Sequence, residues 1–371
     1  MLSKYKILSP ILQQESGVLK VVGRSFLPLK KKESKSVPIL RHYMVDSSIE
    51  KIINHNFAWA KGRREKPLYK FAYLTLPTGC NLRCKGCFAG REYGSTPTEY
   101  LGPFYSKKTL SKIIKFLKGH GAEAIVYSGA GELFLWPGAC GYIDYITSRG
   151  LGMVIFTNGT MLTKEIISFL SKRDVSLIFS FRDTTSDGHD KFVGREGAFG
   201  KLLQAVEWAC QCDMHLKNCV AAEIPVTNYN EERVLGDFIP AMRRLSIIPM
   251  VEEFIPGFLK TEEKKMCHSF LQARHFFEKA EAIDRRFGIN HRTVHGQRML
   301  AQPKCMRPLY SFAVFPNGDV SDCPVRACVY GNINNRSIQK TLYSKRTKQY
   351  LKSYQYCPCS VFYTKDGMQP T

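Results

Sequence analysis

Between Phe71 and Phe254, six short apolar runs alternate with stretches whose apolar residues recur at helical spacing. The predicted strands are Phe71–Leu76, Ala124–Tyr127, Met153–Phe156, Ser176–Phe181, Asn218–Ile224 and Ile248–Phe254. The predicted helices are Lys108–Leu117, Ile143–Ser148, Lys164–Ser171, Phe199–Cys210 and Glu231–Leu245. Strands separated by helices pair in parallel. Because six are too few to close an eight-stranded barrel, we expect an α/β fold with an open, partial (β/α)6 TIM-like barrel, whose active site lies at the carboxyl ends of the strands.

The rest of the chain divides around this barrel. We predict an N-terminal extension over residues 1–68, the barrel over 69–256, a helical connector over 257–304 and a small cysteine-rich α+β module over 305–371. Within the extension a helix is expected around Ser48–Trp59. The charged stretch Thr261–Phe287 is expected to be helical as well.

Charge and cysteine usage restrict the compartment and the partners. The 371-residue chain has a formal net charge of +22, which favours acidic partners such as nucleic acid or phosphates. No stretch approaches the roughly 18 apolar residues of a membrane helix, and the N-terminus lacks the apolar region of a signal peptide. We therefore expect a cytoplasmic protein without membrane contact. In that reducing compartment its 13 cysteines are expected to be metal ligands or core residues rather than disulfides.

Three cysteines stand close together directly after the first predicted strand. Cys80, Cys84 and Cys87 lie in the stretch TLPTGCNLRCKGCFAG with the spacing C-x3-C-x2-C. A structural zinc site needs four protein ligands, and the next histidine is His120. A four-iron cluster held by three thiolates keeps one iron open for a ligand that is not protein. Zinc and a redox thiol group are the alternatives.

This spacing, together with the motifs below, resembles the radical S-adenosylmethionine (SAM) superfamily over about Phe71 to Phe254. The resemblance implies that Cys80, Cys84 and Cys87 bind a [4Fe-4S] cluster whose open iron binds SAM. It further implies that reductive cleavage of SAM gives a 5′-deoxyadenosyl radical, which abstracts a hydrogen atom from a substrate.

Further residues resemble the SAM-binding positions of that family. The turn Tyr127-Ser128-Gly129-Ala130-Gly131-Glu132 is similar to the glycine-glycine-glutamate motif that receives the SAM amino group, with Ala130 replacing a glycine. An aromatic residue usually precedes the third cysteine, whereas this chain has Gly86 there and Phe88 one place after it. The implied SAM contacts here are Gly129, Gly131, Glu132 and Phe88.

The later strands add three more candidates. Asn158 lies in the turn Thr157-Asn158-Gly159-Thr160 after the third strand. In relatives, a serine at the end of the fourth strand contacts the SAM ribose and a later arginine approaches the carboxylate, which implies Ser180 and Arg195. We expect His189 and Asp190 to lie in a loop after this strand. Asn228, just past the fifth strand, could reach the ribose but is equally typical of a turn.

Cysteines return in the C-terminal module. The segment FAVFPNGDVSDC predicts a hairpin that turns at Asn317-Gly318 and ends at Cys323. The module resembles the twitch form of the SPASM domain, in which a hairpin and a later cysteine pair hold an auxiliary [4Fe-4S] cluster. The implied ligands are Cys305, Cys323, Cys357 and Cys359, with Cys328 as a substitute for one of the last pair. Zinc is the alternative, since four thiolates can close a tetrahedral site. The remaining cysteines are interpreted as core residues: Cys140, Cys210, Cys212, Cys219 and Cys267.

The resemblance as a whole implies a radical SAM enzyme of oxidoreductase type. Its expected substrate is a peptide or a small molecule such as a sugar or aminocyclitol, with peptides as the first choice by analogy. A reductant such as flavodoxin or ferredoxin is the expected electron donor. A SAM-dependent enzyme acting on nucleic acid and a non-enzymatic zinc-binding protein are the alternatives.

Overall fold

A computed structural model of the protein describes most of the chain. The described residues are 12–15, 18–21, 47–87, 102–129, 131–254, 265–289, 306–324 and 328–354. They form two compact units. The first unit contains residues up to Arg41, Leu82–Lys85 and Thr157–Leu300, and the second contains His42–Asn81, Gly86–Phe156 and the residues from Ala301 onward.

The second unit is built on parallel strands that are buried on both faces. Its elements are α1 (Ser47–Ala60), β3 (Phe71–Leu74), α2 (Lys107–Gly119), β4 (Ala124–Tyr127), α3 (Ala139–Thr147) and β5 (Gly152–Thr157). Phe71 of β3 pairs with Ala124 of β4, and Ala124 pairs with Gly152 of β5. All residues of β3 and β4 are buried. This pattern is typical of parallel strands covered by helices.

The C-terminal strands join the same sheet. They are β9 (Ser311–Val314), β10 (Asp319–Ser321) and β11 (Val329–Asn332), followed by α10 (Ile338–Leu342) and α11 (Lys345–Lys352). β9 runs parallel to β3, while β10 pairs antiparallel with both β9 and β11. The predicted hairpin around Asn317-Gly318 is confirmed. Its first strand extends the parallel strands at β3, which the sequence did not indicate.

The first unit contains the other three parallel strands. Its elements are β1 (Leu12–Glu15), β2 (Val18–Val21), α4 (Lys164–Leu170), β6 (Val175–Ser180), α5 (Ser186–Val193), α6 (Ala198–Gln211), β7 (Val220–Val226), α7 (Glu231–Arg233), α8 (Ile239–Arg244), β8 (Ile248–Glu253) and α9 (Phe270–Arg286). β7 pairs in parallel with β6 and with β8. β1 and β2 form an antiparallel hairpin.

Six predicted strands are present, with ends shifted by a few residues. The single helix predicted over Glu231–Leu245 is wrong in detail, because a wider π turn at Val234–Phe238 separates α7 from α8. Pro240 lies in the first turn of α8. Its ring removes a backbone donor and crowds the preceding turn, which explains the local widening.

The connector helix starts later than predicted. Of the predicted stretch Thr261–Phe287, residues 261–264 lie outside the described residues and the helix spans Phe270–Arg286. Ser269 fixes this start, because its side chain accepts from the Gln272 N–H while the Gln272 side chain accepts from the Ser269 N–H at 2.9 Å. This capping box satisfies two helix-end donors at once. None of the described helices is long and apolar enough to cross a membrane.

In the second unit, α1 packs against the C-terminal helices through an apolar cluster and one buried amide. The cluster includes Trp59, Leu309 and Leu351. The side chain of Asn56 donates to the carbonyl oxygens of Leu68 and Leu309 at 2.6 Å each and accepts from the Leu68 N–H at 2.8 Å. One amide therefore satisfies three backbone groups in segments far apart in the sequence.

We predict that Asn56→Ala lowers the free energy of unfolding by about 2–4 kcal/mol, because three buried backbone groups lose their partner. Urea denaturation of the wild type and the variant measures this loss. Asn54→Ala on the exposed face of the same helix is the control and should change stability by less than about 0.5 kcal/mol. Equal losses in both variants would contradict the role given to Asn56.

Candidate functional site

Two loops meet at the carboxyl ends of β3 and β4. Cys80 follows Thr78 and Gly79 in the first loop, and Gly131 and Glu132 belong to the second. The Glu132 N–H donates to the Gly79 carbonyl oxygen at 2.9 Å. Gly131 has a φ of 146°, and a Cβ there would collide with the carbonyl groups of Thr78 and Gly79. Only glycine permits this approach, so the glycine-rich turn directly supports the cysteine loop.

The Glu132 side chain is buried and oriented. Its exposed fraction is 1%, and its Oε1 accepts from the Phe134 N–H at 3.3 Å at the start of the short helical turn Leu133–Leu135. Gly129 in the same loop has a φ of 100°, which again favours glycine. The arrangement places a carboxylate immediately beside the backbone contact with the cysteine loop.

The three cysteines are divided between the compact units. Cys80 and Cys87 belong to the second unit and Cys84 to the first. Cys84 is held by its neighbours in the chain, since the Arg83 N–H donates to the Val193 carbonyl at 2.9 Å and the Lys85 N–H to the Phe192 carbonyl at 3.0 Å. The backbone on both sides of Cys84 is therefore fixed by the end of α5.

Cys84 lies against an aromatic pair. The rings of Phe192 and Phe254 meet edge to face with centroids 5.8 Å apart, and Cys84, Met266 and Cys267 pack against them. Sequence reasoning assigned Cys267 to the core, but it is half-buried and adjoins the same pair as Cys84. The two cysteines are 183 residues apart in the sequence, so no sequence pattern indicated that they lie close together.

Asn228 fixes the position of residues 265–267 by hydrogen bonds. Its side-chain amide donates to the carbonyl groups of Lys265 and Cys267 at 3.1 and 3.0 Å. Asn228 therefore fastens residues 265–267 to the end of β7. These bonds give Asn228 a structural role, which was one of its two expected readings.

The donor chemistry of the three cysteines fits an iron–sulfur cluster. All three thiols are free of disulfides and half-buried. No three His, Cys, Asp or Glu side chains among the described residues are gathered around one point as a single metal ion requires. Thiolates on a four-iron cluster bind different irons and so stand apart. Three thiolates with the spacing C-x3-C-x2-C fit a four-iron cluster that keeps one iron open for a ligand that is not protein.

A partly buried ion pair joins Arg182, just after β6, to Glu223 in the middle of β7. Ser180 is in register with Glu223 on the neighbouring strand and hydrogen-bonds its carboxylate. The Arg182 guanidinium donates to Glu223 Oε2 at 2.7 Å and to the Phe181 carbonyl at 2.7 Å. Burial raises the pKa of Glu223, and the charge of Arg182 opposes this rise.

The prediction that His189 and Asp190 lie in a loop is wrong, because both belong to α5. The Thr185 hydroxyl accepts from the Gly188 N–H at the start of this helix, and Gly194, with a φ of 66°, ends it. The helix was missed because its sequence SDGHDKFV is mostly polar. Asp190 carries out a second capping role, since its carboxylate accepts two backbone N–H groups at the start of α6.

His189 is buried beside the ion pair. Its Nδ1 accepts from the Arg182 N–H at 3.2 Å, so its Nε2 carries the hydrogen. The pKa of His189 is lowered to about 3, chiefly by burial and also by the positive charge of Arg182, while the Asp183 carboxylate opposes the shift. His189 is therefore neutral at physiological pH and orients the backbone of Arg182.

The structure describes the surroundings of Arg195 and Asn158. Arg195 is exposed, and its N–H donates to the Asp190 carbonyl at 3.0 Å. Asn158 Oδ1 accepts from the N–H and the hydroxyl of Thr160 at 2.9 and 2.6 Å, which accounts for it as a turn residue. The half-buried arginine near Ser180 is Arg182, which bonds the same carboxylate as Ser180 and was not selected from the sequence.

The C-terminal cysteines are organised by an aspartate that the sequence did not single out. Cys323 is buried and Cys328 half-buried. Asp322 joins them: its N–H donates to the Cys328 carbonyl at 3.1 Å, and its Oδ1 accepts from the Cys328 N–H at 3.0 Å. The Tyr350 hydroxyl donates to Asp322 Oδ2 at 2.7 Å, and the Ser321 hydroxyl donates to the Cys323 carbonyl at 2.7 Å.

The surroundings of these thiols are partly charged. Burial raises the pKa of Asp322. Burial also raises the pKa of the Cys328 thiol, and the negative charge of the nearby Asp322 carboxylate adds to this rise. Arg346 of α11 hydrogen-bonds the Cys328 side chain and opposes this rise. The remaining candidates lie outside the described residues: Phe88, Cys305, Cys357 and Cys359.

Comparisons with known protein families match both regions of the chain that contain these cysteines. The profile of the radical SAM superfamily matches residues 74–236, which contain the three cysteines and the glycine-rich turn. The profile of an iron–sulfur cluster-binding domain, SPASM, matches residues 305–361. The two matches together cover more than half of the chain.

The matches to curated relatives cover part of each relative's length. The chain is 29% identical over 148 residues to the antilisterial bacteriocin subtilosin biosynthesis protein AlbA of Bacillus subtilis. This match covers 39% of this chain and 32% of AlbA. The chain thus spans about a third of the length of the curated relatives that it matches first.

Two solved structures have a similar fold. One is anSMEcpe with bound AdoMet, with a TM-score of 0.59 and 14% identity over 77% of this chain and 81% of that chain. The other is Streptococcus suis SuiB bound to the precursor peptide SuiA, with a TM-score of 0.60 and 15% identity over 84% of this chain and 73% of that chain. The α/β class with a partial barrel, and a C-terminal module with antiparallel strands, are confirmed.

We predict that Gly131→Ala releases the cysteine loop, because the new Cβ cannot fit against Thr78 and Gly79. The reconstituted variant should bind less iron than the wild type, and its free energy of unfolding should fall by about 2 kcal/mol. Iron analysis and urea denaturation measure both effects. Gly141→Ala in α3, where no atom lies within 4 Å of the added Cβ, is the control and should keep full iron and stability.

We predict that His189 makes the protein less stable in acid. The folded state keeps His189 neutral down to about pH 3, whereas the unfolded state binds a proton near pH 6.5. The contribution to stability is complete above pH 6.5 and is lost as the pH falls from 6.5 towards 3, amounting to about 2 kcal/mol between pH 7 and pH 5.

The test is the pH dependence of the free energy of unfolding in urea for His189→Gln. This variant should show a flatter dependence between pH 7 and pH 5 than the wild type. His275→Gln at an exposed position of α9 is the control and should keep the wild-type slope. An unchanged slope in His189→Gln would refute the account of this side chain.

Proposed function

Because this chain belongs to the radical SAM superfamily and carries a SPASM-type iron–sulfur domain, we propose that it cleaves SAM reductively and abstracts a hydrogen atom from a peptide. Its cofactors are SAM and [4Fe-4S] clusters. The observation that carries the proposal is the hydrogen bond from Glu132 to Gly79. It joins the cysteine loop to the glycine-rich turn, so a ligand of the cluster would also reach the carboxylate.

The cysteine loop would hold the first cluster through Cys80, Cys84 and Cys87. When bound, this cluster supplies one electron to SAM, whose cleavage gives the 5′-deoxyadenosyl radical that takes a hydrogen atom from the substrate. The loop contains three cysteines and no fourth one. An iron therefore remains available to a ligand that is not protein.

The residues around this loop would bind SAM through complementary charges. Glu132 is buried and oriented by the Phe134 N–H, so its carboxylate is suited to accept from the SAM ammonium group. Gly129 and Gly131 allow the ligand to approach the backbone. Phe88 remains the proposed aromatic contact.

In the first unit, Ser180 would contact the ribose. Its hydroxyl is already held by Glu223, which Arg182 neutralises. Neutral His189 fixes the Arg182 backbone. The group therefore presents a hydroxyl in a fixed orientation without a net charge. Asn158 and Arg195 stay proposed SAM contacts, supported by the family resemblance alone.

The C-terminal module would hold the auxiliary cluster through Cys305, Cys323, Cys357 and Cys359. The loop from Cys323 to Cys328 is oriented by Asp322 and by the Tyr350 hydroxyl. When bound there, an auxiliary cluster would bind the substrate or supply an acceptor for one electron, and the second role would suit an overall two-electron oxidation. The enzyme would then be an oxidoreductase.

The substrate class is supported by the relatives. SuiB and anSMEcpe have been solved with bound peptides, and AlbA is named for the biosynthesis of a bacteriocin. We therefore favour a peptide over a sugar or an aminocyclitol.

We predict that the anaerobically reconstituted wild type forms 5′-deoxyadenosine from SAM with dithionite, whereas Cys80→Ala/Cys84→Ala/Cys87→Ala forms none. The variant should keep about half of the iron and acid-labile sulfide, because it loses one of two clusters. Liquid chromatography with mass detection and iron and sulfide analysis give the three values.

The matched control is Cys140→Ala/Cys212→Ala/Cys219→Ala, which removes three half-buried cysteines outside both motifs. It should keep the iron content and the activity of the wild type. Zinc in place of iron and sulfide in the wild type, without SAM cleavage, would refute the proposed function.

The substrate class is tested in the same assay with two pools of compounds. A pool of synthetic linear peptides should raise the yield of 5′-deoxyadenosine and give products about 2 Da lighter, as loss of two hydrogens requires. A pool of sugars and aminocyclitols should give neither change. The reverse outcome would assign the enzyme to small molecules.

A further inference from the structure

The described part of the second unit carries a large excess of positive charge. Among the described residues, the second unit has nineteen lysines and arginines against seven aspartates and glutamates, whereas the first has nineteen against eighteen. In the first unit, Arg182, Arg233 and Arg243 each lie within 2.8 Å of a carboxylate. Among the described residues, the excess of positive charge therefore lies in the second unit.

Within the second unit the charge follows three segments. They are residues 61–66, 107–119 and 338–352, which together contain fourteen lysines and arginines and one acidic residue, Glu65. We call these three segments the basic ridge. The five lysines of α2 are exposed: Lys107, Lys108, Lys112, Lys115 and Lys118. They lie opposite the buried apolar face of this helix.

The segments of the basic ridge are in contact. Lys66 Nζ donates to the Gly119 carbonyl at 2.8 Å, which joins the first segment to the end of α2. His120, directly after α2, hydrogen-bonds the Tyr343 hydroxyl at 2.9 Å, which joins α2 to the third segment. Lys348 Nζ lies 5.2 Å from the centre of the Trp59 ring, next to the first segment. The ridge is therefore one continuous surface.

The third segment also reaches the auxiliary cysteines. Arg346 of α11 hydrogen-bonds the Cys328 side chain, and Tyr350 of the same helix donates to Asp322, the neighbour of Cys323, at 2.7 Å. A protein bound to the basic ridge would thus be separated from the C-terminal cysteine loop by the thickness of one helix.

We propose that the basic ridge is the docking surface for a small acidic protein that carries single electrons, an inference that rests on the proposed function and adds the partner's binding site to it. The reduced carrier loses one electron and an iron–sulfur cluster of the protein gains it. Opposite charge on the two surfaces speeds encounter and orients the carrier.

The chemistry of the ridge favours an acidic protein over RNA. Proteins that bind single strands combine positive charge with exposed aromatic side chains on which bases stack. The large apolar side chains exposed in the described part of the chain are Phe104, Met161, Leu216, Tyr229 and Leu271, and none lies in the ridge. An extended peptide is also less suitable, because peptides add to strand edges or enter grooves, whereas the ridge consists of helix faces and a loop.

The test compares two triple charge reversals in the full-length holoenzyme. Lys61→Glu/Lys115→Glu/Lys345→Glu changes one exposed lysine in each segment of the ridge. Lys164→Glu/Lys201→Glu/Lys217→Glu changes three exposed lysines of the first unit by the same total charge. Formation of 5′-deoxyadenosine is measured with reduced flavodoxin as the electron donor and, separately, with dithionite.

For the ridge variant we expect the KM for reduced flavodoxin to rise about tenfold at low ionic strength. The kcat at saturating flavodoxin and the dithionite-driven rate should stay within about twofold of the wild type. The difference should shrink as salt is raised towards ~0.5 M, since exposed charges are screened. The first-unit variant should resemble the wild type in every assay.

Three results would overturn the docking surface. They are an equal rise of KM in both variants, an unchanged KM in the ridge variant, and a loss of RNA binding by the ridge variant while its flavodoxin kinetics stay as in the wild type. Should the ridge variant fail to fold, Lys61→Gln/Lys115→Gln/Lys345→Gln gives the same test with about a threefold rise expected.

Failure of the proposed function is distinguished by the dithionite assay. A wild type that does not cleave SAM with dithionite contradicts the enzyme itself. Binding of oxidised flavodoxin to the wild type and to both variants then tests the docking surface alone, and binding that is weakened about tenfold only in the ridge variant supports it.

Discussion

The contact between Gly131 and the carbonyl groups of Thr78 and Gly79 is the constraint on which the candidate site depends. It brings the loops after β3 and β4 together. A hydrogen bond of 2.9 Å from the Glu132 N–H to the Gly79 carbonyl oxygen joins the two loops. A Cβ at position 131 would not fit this backbone contact, so the position requires glycine. The buried Glu132 carboxylate is a consequence of the same contact.

The strands were predictable because their residues are buried on both faces and read as continuous apolar runs. The cysteine trio was equally visible, since its ligands are close in the sequence. Contacts across long sequence distances gave no such signal. Arg182 and Glu223 are 41 residues apart, and their pairing depends on the register of β6 and β7. The sequence therefore suggested Arg195, which is exposed.

Local chemistry explains the other differences. Helix α5 was missed because polar residues and Gly188 interrupt its apolar pattern, although Thr185 and Gly194 are good capping residues. Asp322 was not selected because a single aspartate beside a cysteine carries no motif. Its function as a bridge to Cys328 and Tyr350 is visible only when the hairpin is folded. Likewise, net charge is a sum over the chain, and only the fold brings the three segments of the basic ridge together.

The central claim is that three cysteines hold a cluster with one iron open to SAM. Electron–nuclear double resonance on the reduced protein tests it most directly, using SAM labelled with 15N in its amino group and 17O in its carboxylate. We predict hyperfine coupling of both labels to one cluster signal, and loss of this signal in Cys80→Ala/Cys84→Ala/Cys87→Ala. A cluster spectrum unaffected by labelled SAM, in protein that binds SAM, would contradict it.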